Sequence, residues 1–308
     1  MLEQRFEVRG TSFDFLDPDA SMLRDALPGC SYESSVCLLL ERALAPESSV
    51  FFDVGALYGF FSVWAARRGA SVVSFEPNEH YVEILRHNLR RNRCSDVRVE
   101  TLALSDGTGT LAFAARALLH HADRQRRSYV RGVVNHLKRR HPDECVECLT
   151  AHPTEWRAGV GPWLAANLSE RLGLFDGGTD ATARYVDADT LDRWCDRTGI
   201  SPTVVKIDVH GSELPLVRGM RTTLATTVRD LVIEVHTDDL RVDGSLEDLV
   251  AELEAAGMDI FEICGFRRDV AHLVPLRGAA RAAFVDQRRW TTEELYFMRC
   301  LYARRGQC

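Results

Sequence analysis

The amino-acid sequence predicts an α/β protein built on a doubly wound, mostly parallel sheet of seven strands with a helical insertion. Three observations lead to this prediction. Short β-type runs alternate with helical stretches, a spacing that requires right-handed crossovers between parallel strands. The run SVVSFE is not interrupted by polar alternation, which is typical of a strand covered on both faces. The alternation stops over residues 115–182, which are therefore predicted to be a helical insertion in one loop.

Length and composition limit the classes of protein that this chain can belong to. The chain has 308 residues, of which 45% are hydrophobic, enough for a large buried core. It contains no apolar run of about 18 residues, and MLEQRFEVRG has no signal-peptide pattern. The nine cysteines are scattered and odd in number, so reduced thiols are expected. These features predict a cytoplasmic protein.

Residues 1–49 are predicted to be an N-terminal helical lead-in. In SSVCLLLERAL, four residues at helical spacing form one apolar face: Val36, Leu39, Leu40 and Leu44. The core domain is predicted over residues 50–114 and 183–308. Its strands are VFFDV, SVVSFE, VRVETLALSD, TVVKIDV, DLVIEV, MDIFEIC and ELYFMRCLY. GTGTLAF follows the third strand and is predicted to be an extra hairpin strand.

Helices are predicted between these strands. The first runs from Phe60 to Arg68. Asn78 caps the second, whose apolar stripe consists of Tyr81, Leu85 and Leu89. A third begins at Ser212, and a fourth spans about Leu246 to Ala256.

The turn after the first core strand predicts a cofactor site. Gly55 and Gly59 lie between a strand and a helix, where backbone N–H groups face the carboxyl edge of the sheet. Asp53 precedes them, and its carboxylate would repel a pyrophosphate but suit a ligand with ammonium and sulfonium charges. Glu76 ends the next strand, where it can accept hydrogen bonds from both ribose hydroxyls. This pattern favours S-adenosylmethionine over NAD; the alternative is that the glycines only make turns and the acids only end strands.

A second group of polar residues is predicted at the same sheet edge. Asp208 and His210 share one face at the end of the fourth strand, and Glu234 and His236 share one face at the end of the fifth. A histidine is the natural general base near neutral pH, so His210 is the first candidate for the catalytic base and His236 the second. Asp208 and Glu234 are predicted to position the acceptor or the cofactor. The alternative is that both histidines are structural, hydrogen-bonded residues.

Two neighbours of this group have simpler interpretations. Glu213 lies in the first turn of a helix, where a carboxylate complements the helix dipole. Lys206 points the same way as Asp208 and is predicted to be its ion-pair partner.

Several strings together resemble the FkbM-type methyltransferases, a Rossmann-like branch of the class I S-adenosylmethionine-dependent enzymes. The strings are DVGALYGFFS, SFEPN, LALSD, VVKIDVHGSELPLVRGM and LVIEVH, and the resemblance covers about residues 30–114 and 184–264. It implies O-methylation of a sugar or secondary-metabolite hydroxyl. It also implies a set of cofactor-binding residues: Asp53, Gly55, Ala56, Gly59, Glu76, Pro77, Asn78, Ser105 and Asp208. The chain departs from the family in His210, where Glu is usual, and in its long insertion.

Asp208, His210, Glu234 and His236 could also hold a divalent metal ion. Magnesium prefers oxygen ligands, so two histidines count against it. The sequence-based assignment therefore includes no metal ion.

The insertion contains a basic helical segment over residues 116–140, with eight basic residues and one acidic residue. Such a helix can meet an anionic substrate, a membrane surface or nucleic acid, or it can be a lid helix whose arginines face water. His141, Cys145, Cys148 and His152 follow at spacings that a zinc ion could use, although a helix turn without a ligand explains them as well. GPWLAANLSERLGLF is predicted to be a second helix, which with the first would form a cap over the acceptor pocket.

The leading hypothesis is an S-adenosylmethionine-dependent O-methyltransferase of a small, sugar-like or anionic acceptor. The first alternative is a nucleic-acid-modifying methyltransferase, against which the net charge of −7 and the lack of an appended RNA-binding domain count. The second is a cofactor-binding scaffold protein without catalysis.

Overall fold

A computed structural model describes residues 2–18, 32–45, 49–113, 184–209, 211–236, 244–264, 271–286 and 298–306. The chain divides into two compact units, Met1–Leu111 with Val186–Cys308, and Ala112–Tyr185. The predicted basic helix, the histidine–cysteine cluster and the second helix of the insertion lie outside the described residues, and so does His210.

The central sheet of the described chain has eight strands in the order β12-β11-β13-β10-β9-β3-β4-β5. The strands are β3 Val50–Val54, β4 Ser71–Phe75, β5 Arg98–Glu100, β9 Val204–Ile207, β10 Asp230–His236, β11 Met258–Cys264, β12 His272–Pro275 and β13 Met298–Arg305. Five neighbours, β10-β9-β3-β4-β5, are parallel, whereas β13 pairs antiparallel with both β10 and β11. This is the mostly parallel α/β architecture that the sequence predicts.

Eight described helices accompany the strands. They are α1 Ser34–Ala43, α2 Phe60–Arg67, α3 Glu79–Arg91, α4 Leu191–Thr198, α5 Glu213–Arg218, α6 Arg221–Thr226, α7 Leu246–Ala255 and α8 Gly278–Val285. The Asn78 side chain accepts a hydrogen bond from the His80 backbone N–H, 3.0 Å away, and so caps α3 as predicted.

The core lies on both faces of the sheet. Phe51 and Val204 pack into a cluster with α1, α2 and α3, whereas their neighbours Phe52 and Val205 pack into a cluster with α4 to α8. Because successive strand residues point to opposite faces, a sheet covered on both sides needs apolar residues at consecutive positions. This explains the uninterrupted runs VFFDV and SVVSFE.

The strand count differs from the seven expected. One reason is the short strand β12, which pairs antiparallel with the end of β11. The predicted third strand is also divided, because only β5 joins the central sheet. Its second part, β6 Ala103–Leu104, belongs to a separate sheet with the order β6-β8-β7. There β8 Arg184–Asp189 lies between β6 and β7 Gly109–Phe113, so GTGTLAF does not form a hairpin with the preceding strand.

The N-terminal lead-in is not purely helical. It begins with an antiparallel hairpin of β1 Leu2–Val8 and β2 Thr11–Asp17, which turns at Arg9 and Gly10. Alternate residues of β2 are buried, and the Phe13 ring centroid lies 5.3 Å from that of Phe60 in α2. The Leu16 backbone N–H of β2 donates to the Asn88 side chain of α3, 2.8 Å away. The apolar residues of FDFLD recur with a period of two rather than a helical period, so one face of this strand packs on the core.

Candidate active site

The glycine turn after β3 is shaped by close backbone contacts. Gly55 has a φ of 76°, and a Cβ atom at this position would lie 1.9 Å from the Asp208 carbonyl oxygen. The Gly55 and Ala56 N–H groups both donate to the Phe75 carbonyl oxygen of β4, at 2.9 and 3.1 Å. The carboxyl ends of β3, β4 and β9 therefore meet at Gly55, where only glycine fits.

Gly59 serves helix packing. Its φ is 84°, and a Cβ atom there would lie 2.9 Å from Leu85 Cγ of α3. Gly59 thus allows α2 to begin directly after the turn while α3 packs closely against it.

Glu76 is tied to the turn by both carboxylate oxygens. Oε2 accepts a hydrogen bond from the Leu57 N–H and Oε1 from the Asn78 N–H, each at 2.9 Å. The carboxyl group is buried, and burial raises its pKa to about 7 although the two backbone hydrogen bonds act in the opposite direction. Each oxygen has a further lone pair, so the group can still accept hydrogen bonds from a ligand.

Asp53 is enclosed more than the sequence suggests. It is 1% exposed, and its Oδ2 accepts a hydrogen bond from Ser62 Oγ, 2.5 Å away. Its partner in the neighbouring strand is Lys206. Burial raises the pKa of Asp53, and Lys206 counteracts this. Asp53 Oδ1 has no hydrogen-bond partner among the described residues, which leaves one buried acceptor for a ligand.

Three other predicted cofactor residues lie near this turn in the chain. Ala56 and Asn78 are buried and Pro77 is partly buried. The Asn78 Nδ2 group is also buried without a hydrogen-bond partner in the described structure. Asp53 Oδ1 and Asn78 Nδ2 are therefore called the orphan acceptor and the orphan donor.

Ser105 lies just beyond β6, outside the central sheet. Its N–H donates to the Asp189 carbonyl oxygen, 3.0 Å away, and its hydroxyl lies 3.4 Å from Asp106 Oδ1. Its assignment to the cofactor stays a prediction.

Lys206 and Asp208 form an ion pair at the end of β9. Lys206 Nζ lies 3.5 Å from Asp208 Oδ2 and 4.6 Å from the centroid of the Phe61 ring. Burial lowers the pKa of the Lys206 ammonium, but Asp208 and other carboxylates outweigh this and raise it above its ordinary value. The predicted pairing of Lys206 with Asp208 is therefore present.

His236 lies between two carboxylates. Its Nδ1 is 2.6 Å from Glu213 Oε1, and its Nε2 is 3.2 Å from Glu234 Oε1. All three residues are buried. Burial lowers the pKa of His236, but Glu213 and Glu234 outweigh it and raise that pKa to about 10. The imidazole thus holds a proton at neutral pH, which argues against His236 as the resting general base.

Glu213 has a more specific role than the helix dipole. α5 is a helix of six residues, and the Glu213 carboxylate turns to His236 and to the Gly211 N–H, which donates to Oε1 at 2.9 Å. A spacing of 23 residues separates the two partners in the chain, so no local pattern reveals the pair.

Glu33 is a site residue that sequence reasoning missed. It directly precedes α1 and is buried near Lys206, Glu234 and Asp208, with which it interacts electrostatically. Burial raises the pKa of Glu33 to about 7, although Lys206 acts in the opposite direction. Nothing in the string SYESSV marks this residue, because its neighbours in the site come from distant strands.

This sheet edge, with a glycine turn, an acid after the second core strand and acid–base residues beside them, is the ligand-binding edge of a Rossmann-like α/β fold. The sequence shows which family this is. Residues 53–267 match the family model of the methyltransferase FkbM domain, and the chain belongs to that family. The family is one of methyltransferases.

Solved structures of methyltransferases are similar to this chain at low identity. The FkbM methyltransferase of Methylobacillus flagellatus is 16% identical with a TM-score of 0.42, covering 83% of this chain and 44% of its own. The magnesium protoporphyrin IX methyltransferase of Synechocystis is 11% identical with a TM-score of 0.41, covering 89% and 79%. The chain thus spans less than half of the Methylobacillus protein. Among curated proteins, none matches this chain significantly.

The described residues fit S-adenosylmethionine. Gly55 lets the backbone approach closely, Glu76 offers acceptors for the ribose, and the orphan atoms Asp53 Oδ1 and Asn78 Nδ2 offer one buried acceptor and one buried donor. Within the described part of the chain, no helix has the length and apolar character to cross a bilayer.

Proposed function

We propose that this chain is an S-adenosylmethionine-dependent O-methyltransferase that acts on a hydroxyl group of a small, sugar-like or secondary-metabolite acceptor. One observation carries the proposal. The Gly55 turn touches the backbone of Asp208, so the residues suited to the cofactor adjoin a cluster of acid–base side chains. Two groups at one edge, one for the cofactor and one for the acceptor, are what methyl transfer needs.

The bound cofactor supplies an electrophilic methyl group, and the chain must orient the acceptor and take up its proton. The Gly55 turn and Glu76 would hold the nucleoside. Asp208 is the partly exposed carboxylate of the cluster and would receive the acceptor hydroxyl, with Lys206 holding it in place. His210 stays the predicted base. His236 is proposed to support the site through Glu213 and Glu234 rather than to take the proton itself.

A cytoplasmic setting is part of the proposal. The described cysteines Cys37, Cys94, Cys195, Cys264 and Cys300 are all free thiols. Free thiols agree with a reducing compartment.

The test is a mass-spectrometric screen in which the protein receives S-adenosylmethionine with a deuterated methyl group and fractionated metabolite or nucleic-acid extracts. We expect a labelled small molecule. Asp208→Asn should lower its formation at least about a hundredfold, which exceeds any loss of cofactor affinity that calorimetry measures. Asp259→Asn, which changes a carboxylate paired with Arg277 away from the site, is the matched control and should keep full activity.

Three outcomes would contradict the proposal in different ways. Label in nucleic acid would favour the nucleic-acid-modifying alternative. Cofactor binding without any labelled acceptor would favour the scaffold protein. Unchanged turnover in Asp208→Asn would remove Asp208 from the mechanism.

A further inference from the structure

The ends of β9 and β10 bring a mixed set of ligand atoms together. One potential ligand atom from each of Asp208, Glu234 and His236 lies within 4.8 Å of the other two. His236 Nε2 and Glu234 Oε1 are 3.2 Å apart, a separation that two ligands of one ion adopt. An ion with bonds of about 2.1 Å holds its ligands at most about 4.2 Å apart, so small side-chain rotations would complete the site.

The orientation of His236 supports this arrangement. Glu213 Oε1 lies 2.6 Å from Nδ1 and is itself held by the Gly211 N–H. Nδ1 is thereby occupied by a carboxylate, and Nε2 is directed to the side of Glu234. A carboxylate on the far nitrogen is the usual partner of a histidine that binds a metal ion, because it selects the tautomer and raises the basicity of the ligand nitrogen.

The balance of charge points the same way. The carboxylates of Glu33, Asp53, Asp208 and Glu234 all interact with the single ammonium group of Lys206. Glu213 adds a further buried carboxylate next to His236. Among the described residues, a gathering of carboxyl groups around one ammonium group makes surroundings that favour a further cation.

We propose that Asp208, Glu234 and His236 bind a divalent first-row transition-metal ion of the Mn²⁺ class, with Glu213 as the positioning residue for His236. Two carboxylates and one imidazole form a mixed oxygen and nitrogen set, which suits Mn²⁺ better than Mg²⁺. The proton on Nε2 leaves to solvent when the metal–nitrogen bond forms. This departs from the sequence-based assignment, which includes no metal ion.

The role of the ion rests on the proposed function. Asp208 is the most exposed of the three ligands, with 14% of its side chain accessible, so the ion's open positions would face the acceptor side. A hydroxyl bound there would lose its proton more readily because the ion stabilises the alkoxide.

The test titrates the full-length, chelator-treated protein with Mn²⁺ and follows free Mn²⁺ by electron paramagnetic resonance. We expect one bound Mn²⁺ per chain. Pulsed measurements should show nitrogen modulation from the His236 ring, which an all-oxygen surface site lacks. No bound Mn²⁺, or bound Mn²⁺ without nitrogen modulation, would overturn the proposal, and neither readout depends on a variant.

Variants then locate the site. Asp208→Asn should weaken Mn²⁺ binding at least about tenfold, and Glu213→Gln about 10- to 100-fold. Asp259→Asn and the double variant His141→Gln/His152→Gln should keep wild-type affinity and nitrogen modulation. Circular dichroism confirms that each variant is folded. Wild-type affinity in both Asp208→Asn and Glu213→Gln, or loss of modulation in the histidine double variant, would contradict this location.

Calorimetry with S-adenosylmethionine on the same samples separates the two proposals. Cofactor binding and methyl transfer without Mn²⁺ binding would refute only the proposed metal site. Mn²⁺ binding without cofactor binding would refute the proposed function but still support the metal site.

Discussion

Backbone groups build the cofactor half of the sheet edge, the part around Gly55 and Glu76 that is proposed to hold the cofactor. Side-chain charges build the acceptor half, the part around Lys206 and His236 that is proposed to receive the acceptor. Around Gly55 and Glu76, the positions are set by N–H groups, a carbonyl contact and a positive φ. Around Lys206 and His236, the positions are set by ion pairs: Lys206 pairs with Asp208 at the end of the same strand, and His236 pairs with Glu213 from a separate segment of the chain. The first half depends on conformation, and the second on mutual charge balance. Substitutions should therefore fail for different reasons in the two halves.

The largest effect is expected in the acceptor half. His236→Gln leaves Glu213 and Glu234 buried without their cation and should lower the free energy of unfolding by about 3 kcal/mol. Adding Glu213→Gln should recover at least about 1 kcal/mol, because one uncompensated carboxylate is then removed. Urea unfolding measures both. Arg277→Gln, which breaks the exposed pair with Asp259, should cost less than about 1 kcal/mol. Equal costs for His236→Gln and Arg277→Gln would show that burial of the pair does not matter.

A comparable effect of conformational origin is expected in the cofactor half. Gly55→Ala combines a positive φ with a Cβ contact of 1.9 Å to the Asp208 carbonyl oxygen. It should therefore lower the free energy of unfolding by about 3 kcal/mol and abolish cofactor binding. Gly69→Ala has a φ of 89° but no atom within 4 Å of the added Cβ, so it should cost only about 1 kcal/mol. Thermal unfolding and calorimetry measure the pair. Similar losses in both variants would mean that φ alone, not the contact with β9, decides the position.

Glu76 should affect the cofactor more than the fold. Glu76→Gln should weaken S-adenosylmethionine binding about tenfold or more, since hydrogen bonds to a charged acceptor are lost, while Glu79→Gln on the exposed start of α3 should not. The pKa of Glu76 is about 7, so a fall in pH from 8 to 6 should protonate the carboxylate and weaken wild-type binding. Calorimetry across this range should show no such trend for Glu76→Gln. A wild-type affinity that rises as the pH falls would refute the role of the carboxylate.

The smallest effect isolates the orphan donor of Asn78. Asn78→Ser keeps a side-chain oxygen that can cap α3, so the free energy of unfolding should change by less than about 0.5 kcal/mol. It removes Nδ2, and the cofactor affinity should fall about fivefold, equivalent to one ordinary hydrogen bond. Unchanged affinity would show that Nδ2 does not meet the cofactor.

The two halves also differ in how far sequence could predict them. Gly55, Glu76 and the cap at Asn78 follow their strands directly, and each acts through the local backbone. Lys206 and Asp208 are two residues apart on one strand, so their pairing was also predictable. The pairing of Glu213 with His236 and the presence of Glu33 were not, because they depend on which segments the fold brings together.

The fold shows the same division. Strands β3, β4, β9 and β10 have apolar runs that predict them individually. The division of VRVETLALSD between two sheets was not predictable, because β6 pairs with β8, a strand from a distant part of the chain. The N-terminal hairpin could have been predicted from the sequence, because the apolar residues of FDFLD recur with a period of two, as in a β-strand.

The sequence by itself determined the α/β alternation, the glycine turn with its acid and the membership in the FkbM family. Each of these features depends on residues that are close together in the chain. Only the tertiary structure decided that His236 lies between two buried carboxylates and that Asp53 is enclosed by Ser62. The physical reason is that a buried charge takes its protonation and its partners from groups folded around it. Those groups come from segments that are far apart in the chain.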